Sequence, residues 1–322
     1  MRRIVCREFG PVERLAPVEE PDSAPGPGEV VVAVEAAAVS FVDGLIVQGR
    51  YQVRPPLPHT PGSAVAGRVR SVGADVAAVS PGDRVVVLSM AGGGFATDLV
   101  APASAVSPLP VGLAPALAAT AVENYSTMAF ALSSRVRVDP GEWVLVLGAG
   151  GGIGLAAVDV ARAAGARVVA AASSQTKREA ARAAGAEVVV DYADLKTRVR
   201  EVTGGGADVV VDPVGGPLAE AALRSLTGYG RFCVLGFAGG EIPRLPANLV
   251  LLRNRTVVGV DWGDWARTRP EAATALVRDV LGRIARGELR PPDPTCLPLD
   301  RAADALARLG RRDVVGKLAL VP

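Results

Sequence analysis

Val144-Leu-Val-Leu-Gly-Ala-Gly-Gly-Gly-Ile-Gly154 is the stretch on which the reading of this chain turns. Its first four residues, Val144 to Leu147, have the composition of a fully buried strand and run straight into glycines. Set against the G-x-G-x-x-G spacing, the aligned positions are Ala149, Gly151 and Gly154. In that pattern the middle glycine lets backbone approach a pyrophosphate, and the last lets a helix pack closely on the strand. The start of the helix then offers unpaired N–H groups and a partial positive charge to an anion. A helix is predicted over residues 153–164, ended by Gly165, because glycine tolerates the left-handed conformation at a helix C-terminus. A strand, a glycine turn and a helix in that order predict a dinucleotide site.

The neighbouring sequence extends the unit. Residues 167–171, 187–190, 209–211, 231–235 and 256–260 read as further strands, with a helix at 177–184 ended by Gly185. The hexapeptide Ala161-Arg-Ala-Ala-Gly-Ala166 returns as Ala181-Arg-Ala-Ala-Gly-Ala186, which marks two successive helix-to-strand joints. Strands alternating with helices predict a parallel sheet covered on both faces. Upstream, residues 30–34, 65–72, 83–88 and 97–100 are short strand-like runs separated by Gly/Pro turns as far as Pro110, a β-rich region. The pattern changes near Leu113, and the Ala-rich residues 115–132 read as helical. The tail adds helices at 272–286 and 300–309 and a strand at 317–321.

Composition removes several classes of function. The chain has 322 residues, 49% of them hydrophobic and 21% charged, which suits two globular domains at roughly 100–200 residues each. Lys plus Arg number 35 against 33 Asp plus Glu, so neither nucleic acid nor an anionic membrane is expected as partner. No apolar run approaches the ~20 residues of a membrane span, and Arg7 and Glu8 interrupt any leader-like stretch. The three cysteines, Cys6, Cys233 and Cys296, are scattered, which fits a reducing cytoplasm. With one histidine in the chain, the three or four ligands of a zinc site cannot be assembled.

The strand after the glycine loop selects the nucleotide. Sites for NAD usually carry Asp or Glu at its end, to accept from the ribose 2′-hydroxyl. Here the strand ends Ala170-Ala-Ala-Ser-Ser174 and continues Gln175-Thr-Lys-Arg178. Ser173, Ser174, Lys177 and Arg178 place two hydroxyls and two cations where a 2′-phosphate would lie, so NADPH is expected.

These features, with Ser40-Phe-Val-Asp43, Gln48-Gly-Arg-Tyr51, Pro56-Leu-Pro-His-Thr-Pro-Gly62, Pro81-Gly-Asp-Arg-Val85, Thr127, Asp191-Tyr192 and Gly316-Lys-Leu-Ala-Leu320, make the whole chain resemble one known branch. It is that of the zinc-free, zeta-crystallin-like quinone oxidoreductases of the medium-chain dehydrogenase/reductase superfamily. The resemblance implies a Rossmann-type parallel-sheet domain, residues 118–264, inserted into a GroES-like β-barrel catalytic domain, residues 1–117 plus 265–322. It implies an active site in the cleft where the two domains meet. It implies that Gly150, Gly151, Gly152 and Ile153 line the pyrophosphate, and that Ser173, Lys177 and Tyr192 hold the 2′-phosphate end. Thr127 and Leu235-Gly236-Phe237 would flank the nicotinamide, with Lys317 in the same cofactor-binding set. Ser40, Asp43 and Tyr51 would stand on the substrate side, although Ser40 replaces the usual Asn of these reductases. Tyr51 is the expected hydrogen-bond donor to the oxygen that gains charge, with Ser40 second. Three readings stay open: hydride transfer to a quinone or enone, enoyl reduction of a thioester or biosynthetic intermediate, and a nucleotide-binding protein without turnover. A homodimer is expected through the strand at 256–260, an apolar edge that would otherwise invite association.

Overall fold

A computed structural model describes all residues, 1–322. In chain order the early strands are β1 (Arg2–Val5), β2 (Ala16–Glu19), β3 (Glu29–Val39), β4 (Ala64–Val72), β5 (Arg84–Leu88), β6 (Asp98–Pro102) and β7 (Val106–Pro108). Helix α1 (Phe41–Val47) follows β3, and α2 (Pro115–Phe130) follows β7. Next come β8 (Trp143–Val146), α3 (Gly152–Ala163), β9 (Arg167–Ala171), α4 (Gln175–Ala183), β10 (Val188–Val190), α5 (Leu195–Thr203), β11 (Ala207–Asp212), α6 (Leu218–Ser225) and β12 (Leu226–Val234). The chain closes with α7 (Ala247–Leu251), β13 (Thr256–Gly259), α8 (Trp262–Thr268), α9 (Pro270–Ala285), β14 (Thr295–Pro298), α10 (Ala302–Gly310) and β15 (Leu318–Val321).

The chain divides into two compact units. One comprises Met1–Glu123, Trp265–Arg286 and Pro292–Pro322, the other Asn124–Asp264 with Gly287–Pro291. The first division falls inside α2, between Glu123 and Asn124, where the Ala-rich helix runs on unbroken.

The first unit is organised by β3, eleven residues rich in Val and Ala. Its early half pairs antiparallel with β6 and its late half with β15, while β4 runs along the other edge. β4 continues the sheet to β5 and β7, and β14 joins β15 in parallel at the far end. Val30, Val32, Val39, Val65, Val85, Val87, Phe95, Leu318 and Leu320 form the core. Helix α1 is absent from the sequence reading, since seven residues give too few turns for a periodic pattern to show.

The second unit is a six-stranded parallel sheet ordered β10-β9-β8-β11-β12-β13. The order reverses between β8 and β11, which makes their carboxyl ends the switch point where ligands of such sheets bind. The two hexapeptide copies close α3 and α4 identically. Gly165 and Gly185 are left-handed, and the N–H of the following residue reaches back to the carbonyl of Ala161 or Ala181. Helices α5 and α6 were not read from the sequence, where charged and small residues blur the apolar face.

One buried carboxylate ties three segments of the second unit. Asp159 on α3 is 1% exposed. It accepts from Tyr125 Oη of α2 at 3.1 Å, from both Nε and Nη2 of Arg162, and from the Arg290 amide. Arg162 also donates to Glu288 O at 3.0 Å, so residues 288–290 are clipped to α3 from two sides. Replacing Asp159 by Ala leaves a hydroxyl, a guanidinium and an amide without their acceptor. We expect the change to cost about 3–5 kcal/mol, read as a drop in urea midpoint, with Asn costing less.

Candidate functional site

The glycine loop lies at the switch point. Gly148 is left-handed, and Gly154 on the first turn of α3 faces its carbonyl so closely that a Cβ there would lie 2.3 Å from the oxygen. Gly151 is the cap residue just before α3 and has no side chain to cap it, so the first amides of a twelve-residue helix stay available to an anion. Gly150 packs against Lys177, whose Cβ would be 2.4 Å from an added methyl. The glycine loop and the turn after β9, separate in sequence, are thus in contact.

That turn gathers the polar groups expected of it. Ser173 and Ser174 are exposed. Ser174 caps α4 by accepting from Lys177 N at 3.3 Å, which leaves its proton to donate outward. Arg178 donates to Ala172 O at 3.0 Å and to Gln175 Oε1 at 3.2 Å, which fixes its guanidinium across the end of β9. Tyr192 is lower in the site: its hydroxyl accepts from Gly148 N at 3.2 Å and lies 3.4 Å from Ala171 O, stitching the glycine loop to the tip of β9. The wall opposite is the turn at 235–237 after β12. Leu235 N donates to Asp212 O, Ala238 N to Pro213 O and Gly239 N to Val214 O. Phe237 stands 40% exposed at its tip. The sequence reading missed the support of this wall. Asp212, 1% exposed, accepts from Val214 N and Gly215 N at 2.8 Å each, and burial raises its pKa against the pull of those amides. A carboxylate at a strand end, followed by Pro-Val-Gly, is the turn signal that could have shown it. Thr127 is half-buried on α2.

In the first unit the expected substrate-side residues first serve the backbone. Ser40 and Asp43 form a capping box at the start of α1, Ser40 Oγ accepting from Asp43 N at 3.2 Å and Asp43 Oδ2 from Ser40 N at 2.8 Å. Asp43 Oδ1 accepts from Gly62 N at 3.0 Å, so both oxygens are engaged and the residue is 3% exposed. Tyr51 is half-buried in the following loop. Lys317, grouped by the sequence reading with the cofactor residues, belongs to this unit and donates to Val39 O at 3.0 Å. Burial lowers the pKa of its ammonium, against the raising pull of Glu123 and Asp43. His59 pairs its backbone with Cys6, and its ring packs against Gly92 with its pKa lowered by burial, a structural place.

No group of three or more His, Cys, Asp or Glu side chains is arranged to hold a metal ion. Cys6 and Cys233 are buried and Cys296 is exposed. No helix is long and apolar enough to cross a membrane.

The fold and this site define a two-part medium-chain reductase, and comparison with known proteins agrees. The alcohol dehydrogenase GroES-like domain matches residues 26–111 and the zinc-binding dehydrogenase family residues 152–278. Quinone oxidoreductase-like protein 2 of Rattus norvegicus is 36% identical over 99% of this chain and 91% of its own length. Escherichia coli quinone oxidoreductase complexed with NADPH superposes with a TM-score of 0.92 at 29% identity, over the whole of both chains. A mycocerosic acid synthase-like polyketide synthase of Mycobacterium tuberculosis is 35% identical over 92% of this chain, which covers 14% of that protein. The chain belongs to the medium-chain dehydrogenase/reductase superfamily, among its quinone oxidoreductase-like oxidoreductases.

Burial first, and Glu123 second, push the pKa of Asp43 up to about 6, against the pull of two backbone amides and Lys317. The folded protein therefore keeps a proton that the unfolded chain has released between about pH 4 and 6. This residue's contribution to stability falls as pH rises through that window, by on the order of 3 kcal/mol. Asp43→Asn removes the titration. Urea unfolding should show wild type losing ground to the variant from pH 4 to 6, and a constant difference would refute the assignment.

Proposed function

We propose that this chain is an NADPH-dependent, zinc-independent reductase that delivers hydride to a C=C conjugated to carbonyl, with quinones the first substrate class. The observation that carries the reading is the turn after β9. It packs Lys177 on the glycine loop, fixes Arg178 beside it, and holds no carboxylate to repel a 2′-phosphate. The residues fit the nucleotide on structural grounds: an uncapped helix start for the diphosphate, and glycines where any side chain would strike backbone or Lys177.

When bound, NADPH supplies the hydride and its electron pair. The chain's own work is holding and orienting. Gly150, Gly151, Gly152 and Ile153 receive the pyrophosphate on backbone N–H groups. Ser173, Ser174, Lys177 and Arg178 take the 2′-phosphate, and Tyr192 keeps the glycine loop in place from below. Thr127 and Leu235-Gly236-Phe237 bound the nicotinamide, with Lys317 in the same set. On the substrate side Asp43 positions Ser40, and Tyr51 donates to the oxygen that gains charge.

The similarity to a segment of a polyketide synthase favours a second reading, enoyl reduction of a thioester-borne intermediate in the same site. Steady-state oxidation of NADPH with quinones, free enones and enoyl thioesters ranks these substrates. Absence of turnover with all of them would instead indicate a nucleotide-binding protein. A cytoplasmic place suits the scattered thiols.

We also propose a homodimer. β13 is the outer strand of its sheet, with Val257 40% exposed on it and Leu251 and Leu252 more than 70% exposed just before it. A second copy pairing edge to edge about a two-fold would cover this row. Light scattering should give the mass of two chains, halved by Val257→Asp; one chain's mass in wild type would count against the pairing.

Cofactor selectivity tests the nucleotide assignment. A charge-assisted hydrogen bond contributes roughly 1.5–3 kcal/mol, so removing one weakens binding by about ten- to a hundredfold. Lys177→Ala should raise the Kd for NADPH by that factor, and the double variant with Arg178→Ala by more. Fluorescence titration with NADH should stay nearly flat, since it lacks the 2′-phosphate. Equal weakening of both cofactors would show that these residues do not read that phosphate.

A further inference from the structure

Asp212 ends β11 and opens the stretch Asp212-Pro-Val-Gly-Gly216. Pro213 has no N–H to continue the ladder, and Gly215 and Gly216 are both left-handed, so the chain turns away at once. The Asp212 side chain fastens the turn, Oδ1 alone accepting from Val214 N and Gly215 N. Burial works against negative charge on this carboxyl group and raises its pKa. What the two amides require is therefore an acceptor oxygen in this place, which a neutral amide of the same shape also provides.

In the sheet β11 lies between β8 and β12, so this turn stands between the glycine loop after β8 and the wall after β12. It touches both. On one side a Cβ added to Gly148 would lie 2.9 Å from Val214 Cγ2. On the other, Asp212 O accepts from Leu235 N at 3.0 Å, Pro213 O from Ala238 N at 3.0 Å and Val214 O from Gly239 N at 2.7 Å. Phe237 packs on Gly215, where a Cβ would lie 3.0 Å from its ring. Gly216 N donates to Glu241 O at 3.0 Å and ties down the far end of the wall. Residues 213–216 are thus a spacer between loop and wall, and one buried carboxyl group holds its shape.

We infer that Asp212 is a positioning residue of the reduction, setting through the 213–216 turn how far the wall at 235–239 stands from the glycine loop. This role rests on the reductase reading above, in which Leu235-Gly236-Phe237 bound the nicotinamide. With the diphosphate held at the loop and the nicotinamide bounded by the wall, that spacing decides where the reactive ring is held. A ring held loosely loses the alignment that hydride transfer needs. Asp212 acts through the turn and not on the reacting atoms, and its shape matters where its charge does not.

The test compares wild type with Asp212→Ala, the isosteric Asp212→Asn and Gly239→Ala. The last leaves Asp212 in place and presses on the same joint, since a Cβ on Gly239 would lie 2.7 Å from Val214 O; it carries the test if Asp212→Ala does not fold. Without cofactor, hydrogen exchange read by mass spectrometry should speed up at residues 235–239 in both Ala variants, with β9 unchanged, and stay as in wild type in Asp212→Asn. Affinity for 2′-phospho-ADP-ribose, which lacks the nicotinamide, should stay within about twofold, while affinity for NADPH falls by about fivefold or more. Turnover of a quinone should fall by about a hundredfold in the Ala variants, the scale of a misplacement of about 1 Å, and stay within about threefold in Asp212→Asn. Unmoved exchange at 235–239 in the Ala variants, or Asn as impaired as Ala, overturns the positioning role. Equal loss of affinity for NADPH and for the fragment overturns its link to the nicotinamide. If wild type reduces no quinone or enone while the exchange and the split in affinity hold, the reductase reading fails and the placing of the nicotinamide by Asp212 stands.

Discussion

The close approach of Gly154 to the Gly148 carbonyl is the constraint on which the nucleotide half depends. Without a side chain at Gly154, α3 can begin directly on the tip of β8. That placement aims its free amides at the switch point of the sheet, and it carries Asp159 two turns further on to where Tyr125 and Arg290 meet it. A methyl group at Gly154 would push the helix off the strand, and both its uncapped first turn and the clipped strap would move with it.

In the first unit a buried carboxyl group joins close packing in setting the loop at residues 61–63. Ser40, Asp43 and Gly62 are joined by three hydrogen bonds in a site nearly sealed from water. A buried carboxylate is costly. It is tolerated here because two amides and an ammonium face it, and its raised pKa records how incompletely they offset the burial. Rigidity of the 61–63 loop is gained in exchange.

Much of this was legible in the sequence, and the reasons are specific. The glycine loop, the turn after β9 and the duplicated joint are local patterns in which spacing alone fixes geometry. Gly165 and Gly185 sit within two residues of the bonds they permit. Strand β9 was read to the residue because a β-branched run lies between a glycine and a pair of serines. What stayed hidden depends on contacts distant in sequence. Asp159 looks like an ordinary surface residue of an Ala-rich helix until the segment at 288–290 is brought to it. Glu123 belongs to a helix whose Ala-rich pattern says nothing of Asp43 or Lys317. Ser40 and Asp43 were read as substrate contacts although their three-residue spacing also spells a helix cap, which is the place the fold gives them first. The early part of β12 was missed because Gly228 and Gly230 flank Tyr229, itself left-handed, and no alternation survives there.

The strap at 287–291 bears on how the chain can be dissected. A continuous piece from 124 to 264 contains every strand of the parallel sheet, yet it lacks Glu288 and Arg290, which complete the partners of Asp159 and Arg162. Cut out alone, that piece would carry a carboxylate built for burial with one of its donors missing. The nucleotide half is therefore not a self-sufficient module borrowed whole. It is finished by five residues drawn from the far end of the chain, and translation must pass residue 290 before its last buried charge is satisfied.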